Sequence, residues 1–137
     1  MEEIKNRIED ALILWKSDRR EGAFLVALIA FAAAARRRYP ELKDREGFEQ
    51  LFRDYHSARI GVEYRGQCHQ IEHIFYKWLR CNLVHEGALP IDIEFIDTDL
   101  TTIRAGGAPE YILKLGNGWF QRIVECCKNE CARNASR

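Results

Sequence analysis

Trp78-Leu79-Arg80-Cys81-Asn82-Leu83-Val84-His85-Glu86-Gly87 is the stretch of this 137-residue chain whose residue types and spacing best suit chemistry. Arg80 brings a permanently charged, planar set of donors that fits phosphate oxygens. His85, five positions on, brings a side chain that takes up and releases a proton near neutral pH. A group to hold a phosphate and a group to move a proton suffice for phosphodiester chemistry, so neither a metal nor another cofactor is expected. Arg36-Arg37-Arg38 adds a basic cluster at a predicted helix end. It suits a phosphate backbone, or simply the negative end of the helix dipole.

Other strings offer less. His69-Gln70-Ile71-Glu72-His73 matches H-x-x-E-H, in which two histidines on one helical face could share a metal ion. No third ligand is in view, and the plainer expectation is two exposed histidines on the polar face of a helix. Cys126, Cys127 and Cys131 lack the C-x-x-C spacing of a zinc knuckle, and Cys127 falls on an apolar stripe with Ile123 and Val124. No phosphate-cradling glycine loop occurs and no G-x-S-x-G nucleophile turn.

Periodicity predicts the elements that must position Arg80 and His85. Ile4, Ile8, Ala11, Leu12 and Trp15 mark a helix over 2–17, and Ser17 to Gly22 break it. A second helix over 23–39 is apolar nearly all round and therefore central, and Pro40 stops it. Phe48, Leu51, Phe52 and Tyr55 mark a third over 44–58, with Asp44 as N-cap. Residues 59–67, with two glycines, read as a loop. The fourth helix, over 68–86, carries Ile71, Ile74, Phe75, Trp78 and Leu79 and ends at a Gly87 cap. The period then drops to two: 91–95, 100–104 and 111–115 are strand candidates, with Gly106-Gly107 as a turn. A last helix covers 117–133. The expectation is a mainly α single domain over 1–137, with a β-hairpin or three-strand insertion at about 91–115 before the last helix.

The stretch from Leu79-Arg80 through Asn82-Leu83-Val84-His85-Glu86-Gly87 resembles the signature of the HEPN superfamily. There an Arg and a His separated by four to six residues end one helix of an up-down bundle of four or five. The resemblance implies a metal-independent ribonuclease and a homodimer with a site shared between two chains. It also implies a place in a toxin–antitoxin pair or other defence system, with an antitoxin or regulatory partner protein. In that scheme a histidine takes the proton of the ribose 2′-OH, which attacks the adjacent phosphorus. Arginines stabilise the charge on the phosphoryl oxygens, leaving a 2′,3′-cyclic phosphate and a 5′-OH. One departure stands out: Cys81 occupies the position after the arginine, where many such nucleases carry a polar residue, and Asn82 comes one step later. A catalytically silent nucleotide- or RNA-binding or dimerisation module is the alternative.

On an ideal helix Arg80 and His85 are about 500° of turn apart, so they point about 140° away from each other. A loosened last turn before Gly87, the length of the arginine side chain and a partner chain across a two-fold would all help to bring them together. Lys77, Cys81 and Val84 lie in the sector between them, with His73 and Tyr76 at its edge. His73, Lys77, Cys81 and Asn82 are thus the candidate auxiliary or RNA-binding residues, Asn82 leaning toward Trp78 and a buried hydrogen bond.

Composition bounds the rest. Apolar residues are 47% and charged residues 31%, enough for a core without disulfides. Lys plus Arg and Asp plus Glu both number 21, so only a local basic patch could attract RNA. The longest apolar run, Ala23 to Ala35, is shorter than the roughly 20 residues of a membrane span. An acidic N-terminus without a secretory signal, and an odd five cysteines, predict a cytoplasmic protein with no membrane partner.

Overall fold

A helix apolar on every side has to be surrounded, and that requirement organises the chain. The structure, a computed structural model, describes residues 1–106 and 111–135, so Gly107 of the expected turn lies outside it. α2 (Arg20–Arg38) buries nine residues, from Ala23 and Phe24 to Ala34 and Ala35. It packs against α1 (Glu2–Lys16), α3 (Asp44–Tyr55), the fourth helical rod and the last helix, α6 (Gly118–Ala135). Its seven alanines let backbones approach closely. α1 contributes Ile4, Ile8 and Ala11 to the seam, and α3 contributes Phe48, Leu51 and Phe52. Lys43, not Asp44, is the N-cap of α3. Asp44 is the first helical residue, where its charge still meets the positive end of the dipole.

The expected loop over 59–67 is a β-hairpin. β1 (Gly61–Tyr64) pairs antiparallel with β2 (Gln67–Gln70), turning Val62 and Tyr64 inward. Arg65 and Gly66 form the two-residue turn with φ of 54° and 79°. Two positive values are what a turn matched to strand twist demands. Arg65 is clamped there by Asp92, which accepts its Nε–H at 2.8 Å and an Nη2–H at 3.0 Å. The hairpin consumes 68–70, so the fourth rod starts at Ile71, whose N–H bonds Ile60 O at 3.0 Å.

The three-strand insertion is present, with shorter strands than expected. β3 (Ile93–Ile96), β4 (Ile103–Arg104) and β5 (Leu113–Gly116) form a sheet in the order β3-β5-β4. β3 runs parallel to β5 and β4 antiparallel to it. The sheet is fixed to the bundle by rings: Phe95 stacks on Phe24 at 4.5 Å, and Trp119 donates Nε1–H to Thr102 O at 3.0 Å.

Two carboxylates are buried among these elements. Glu130 of α6 accepts from Arg38 Nη1 at 2.9 Å and from the Tyr55 hydroxyl. Glu72 pairs with Arg53 at 3.5 Å. Among the described residues no helix is long and apolar enough to cross a membrane.

Candidate functional site around Arg80 and His85

Ile71, Ile74, Phe75, Trp78, Leu79 and Leu83 are buried, and together they pin the fourth rod to α2 and α3. The rod is continuous but not regular. α4 (Ile71–Ile74) passes into a π turn (Phe75–Cys81) and then into α5 (Asn82–Glu86). In the π turn each N–H reaches five residues back instead of four, widening the helix. The premise of an ideal helix between Arg80 and His85 therefore fails. The loosening is also not in the last turn: Asn82–Glu86 is α-helical, and Gly87, at φ 73°, donates its N–H to Leu83 O at 3.1 Å.

Arg80 sits in the wide turn, half-buried. Its guanidinium carbon lies 5.6 Å from the centroid of the Tyr76 ring, and Nη1 donates to Cys81 Sγ at 3.8 Å. Its Nε is buried and finds no acceptor, and no carboxylate pairs with it among the described residues. A buried donor without a partner costs about 1–3 kcal/mol, more when charged, and cationic donors favour an anion. His85 is exposed in the last turn of α5, and no protein group among the described residues occupies its ring nitrogens.

Tyr76 is half-buried and packs against Phe48 at 5.3 Å. Burial first, then Cys81, raises its phenol above the ordinary value, and Asp44 adds to this. Asp44 also pairs with Arg36 at 4.0 Å, so the first arginine of the basic cluster borders the Tyr76 side of the rod. The other two are engaged elsewhere: Arg37 pairs with Glu3 at 3.4 Å and Arg38 with buried Glu130.

The remaining candidates divide. His73 and Lys77 belong to a second cluster on the hairpin side. The His73 ring faces His69 at 5.7 Å and Trp78 at 5.5 Å, and Lys77 Nζ stands 4.8 Å above Trp78. His73 Nδ1 is 3.8 Å from Glu49, which Arg45 holds at 2.7 Å. Burial, reinforced by Arg45, depresses the His73 pKa. None of these contacts reaches Arg80. Asn82 is half-buried and donates to Ala88 O at 3.2 Å, tying the loop after Gly87 to the rod, not bonding in the core as expected.

The expectation of two exposed histidines on one helical face is overturned. His69 lies on β2, both rings are half-buried, and Glu72 between them is spent on Arg53. Among the described residues no group of three or more His, Cys, Asp or Glu is arranged to hold a metal ion. The sequence placed Tyr76 only at the edge of the sector, offered Glu72 only as part of the H-x-x-E-H string, and did not single out His56 or Glu130. Each of the two glutamates falls inside an apolar stripe (Ile71, Ile74 and Phe75; Val124, Cys127 and Cys131), which is the signal that marks a buried charge.

An Arg and a His at one end of a rod in a helical bundle with a small sheet define the architecture, and the comparison of sequences gives it a family. The chain belongs to the Rv1289 family, whose model matches residues 3–106, spanning the bundle through the fourth rod and into the small sheet. No curated protein and no solved structure matches the chain.

Proposed function

We propose that the chain is a HEPN-type, metal-independent endoribonuclease that works as a homodimer in the cytoplasm. The observation that carries this reading is Arg80: a half-buried arginine that pairs with no carboxylate among the described residues. A phosphodiester oxygen is the acceptor that such a donor set lacks. His85, free at the end of the same rod, takes the proton from a ribose 2′-OH, and that oxygen attacks the phosphorus. Arg80 stabilises the charge gathering on the non-bridging oxygens. The second copy's His85 returns a proton to the departing 5′-oxygen, leaving a 2′,3′-cyclic phosphate and a 5′-OH.

An apolar strip supports the dimer. Leu25, Val26 and Ala33 of α2 are only half-buried, Ile29 is 38% exposed, and Val84 of α5 is 47% exposed. α2 and α5 touch, so the helix that carries most of the strip adjoins the rod that carries Arg80 and His85. A two-fold through this strip would double the arginine and imidazole groups in one cleft. A toxin or defence role, with an antitoxin-like partner, belongs to the same reading.

The test is cleavage of single-stranded RNA in EDTA, with the ends of the products identified. Expected are 2′,3′-cyclic phosphate ends, no cleavage of DNA, and loss of activity in Arg80→Ala and in His85→Ala. Binding should fall steeply with salt. Intact RNA with retained binding would instead favour the silent binding module, which the thiol of Cys81 on Arg80 suits. A monomeric mass at micromolar concentration would overturn the shared site.

A further inference from the structure

We infer that Tyr76 is the positioning residue of Arg80, holding its guanidinium in place for the phosphate; this rests on the ribonuclease reading above. An unpaired arginine on a helix surface has rotamer freedom to spare, and a group that binds a phosphate must be held. Carboxylates do this for other arginines of this chain, as Asp92 does for Arg65 and Glu130 for Arg38. Among the described residues no acid holds Arg80.

Its guanidinium lies over the Tyr76 ring at 5.6 Å, a cation–π contact that itself takes up none of the N–H groups. Cys81 Sγ accepts from Nη1 at 3.8 Å, a weak bond to a neutral thiol. Tyr76 is itself fixed, half-buried against Phe48 of α3. A carboxylate in the same place would neutralise Arg80 and occupy the donors that the phosphate needs. An aromatic face restrains the cation and leaves its charge intact. Helical side chains lean toward the N-terminus, so the arginine covers the turn below its own Cα. The wide turn carries both residues, and Arg80 and Tyr76 meet there at a spacing of four.

The test measures binding of a fluorescein-labelled, uncleavable 2′-O-methyl oligoribonucleotide by anisotropy, with cleavage of the unmodified RNA alongside. Tyr76→Met keeps an apolar chain against Phe48 but removes the ring face. It should weaken binding about fivefold and cleavage by at least as much. Tyr76→Phe restores the face and should stay within about twofold of wild type. In an Arg80→Ala background Tyr76→Met should have no further effect, whereas a merely structural tyrosine would lower binding equally in both backgrounds. Should Tyr76→Met fold poorly, Tyr76→Leu replaces it in the cycle. Wild-type binding by the Met and Leu variants, or equal losses with and without Arg80, would overturn the inference and leave the ribonuclease reading standing. Unchanged binding and cleavage in Arg80→Ala would overturn both.

Discussion

Replacing Glu130 by alanine should be among the most destabilising single changes in this bundle. Glu130 is 5% exposed and accepts two hydrogen bonds, from Arg38 Nη1 at 2.9 Å and from the Tyr55 hydroxyl. Burial and the Glu130 carboxylate hold the Tyr55 phenol well above its ordinary pKa, so it remains a donor throughout the usable pH range. Each bond to a charged group contributes about 1.5–3 kcal/mol, and removing one partner of a buried pair costs about 3–5 kcal/mol. The Arg38 side chain keeps 22% of its exposure and can partly rehydrate, which favours the lower half of that range. The expected loss is thus about 3–4 kcal/mol, against a total of roughly 5–15 kcal/mol for a domain. With a urea slope of about 2 kcal/mol/M, the midpoint followed by circular dichroism should drop by roughly 1.5–2 M. Tyr55→Phe removes only one of the two bonds and should cost about half as much. Arg38→Met combined with Glu130→Leu removes both charges together and should recover most of the loss, because no ion is left buried alone. A Glu130→Ala protein within about 1 kcal/mol of wild type would refute this account of the pair.

Stability should also fall as the medium is acidified. Burial first, then the nearby Arg122, depresses the His56 pKa, and burial with Arg45 depresses that of His73, so the folded state holds both imidazoles neutral. The unfolded chain takes up these protons first, below about pH 6.5; stability is therefore full above that pH and declines below it, by up to about 1.4 kcal/mol per histidine per pH unit. Urea titrations from pH 7.5 to 5 should show the decline, and His56→Gln should flatten it. Gly118→Ala should cost about 2 kcal/mol or more, because a Cβ there would overlap Leu100 and Thr101; a thermal midpoint unchanged by the substitution would count against the close packing. Exposed Cys68 should react with a thiol reagent at once, whereas Cys127 and Cys131, both buried with raised pKa values, should react only on unfolding.

The helices were legible because their apolar residues recur at three and four, and because α2 breaks that rule by being apolar all round. The hairpin over 61–70 was not. β1 alternates properly, Val62 and Tyr64 inward with Gly61 and Glu63 outward, but β2 is Gln67-Cys68-His69-Gln70, with no apolar partner to complete the pattern. The turn signal, Arg65-Gly66, lacks the asparagine or aspartate that usually announces a two-residue hairpin. Arg80 and His85 were visible as types. What surrounds them was not, since a π turn alters which residues meet without altering composition. Tyr76 stands four residues before Arg80, a spacing that meets on a regular helix as well, but residue type alone does not say that its ring is the surface on which Arg80 lies. The strands of the insertion were read as present but too long, because Leu100 to Thr102 spend their backbone groups on Gly116 and Gly118 and not on a ladder.

The π turn has a consequence for chain length. A regular helix that loses one residue turns everything beyond the gap by about 100°, which would carry Leu83 off the core. The fourth rod instead holds one residue of slack between Phe75 and Cys81. A single deletion there is absorbed when the wide turn closes to an α turn: Ile71 and Ile74 keep their faces on one side, Leu83 and His85 on the other. Related chains can therefore shorten at this point without repacking the bundle. Such a change would deal Arg80 new neighbours while leaving the histidine in place, so the two halves of the pair are free to diverge separately.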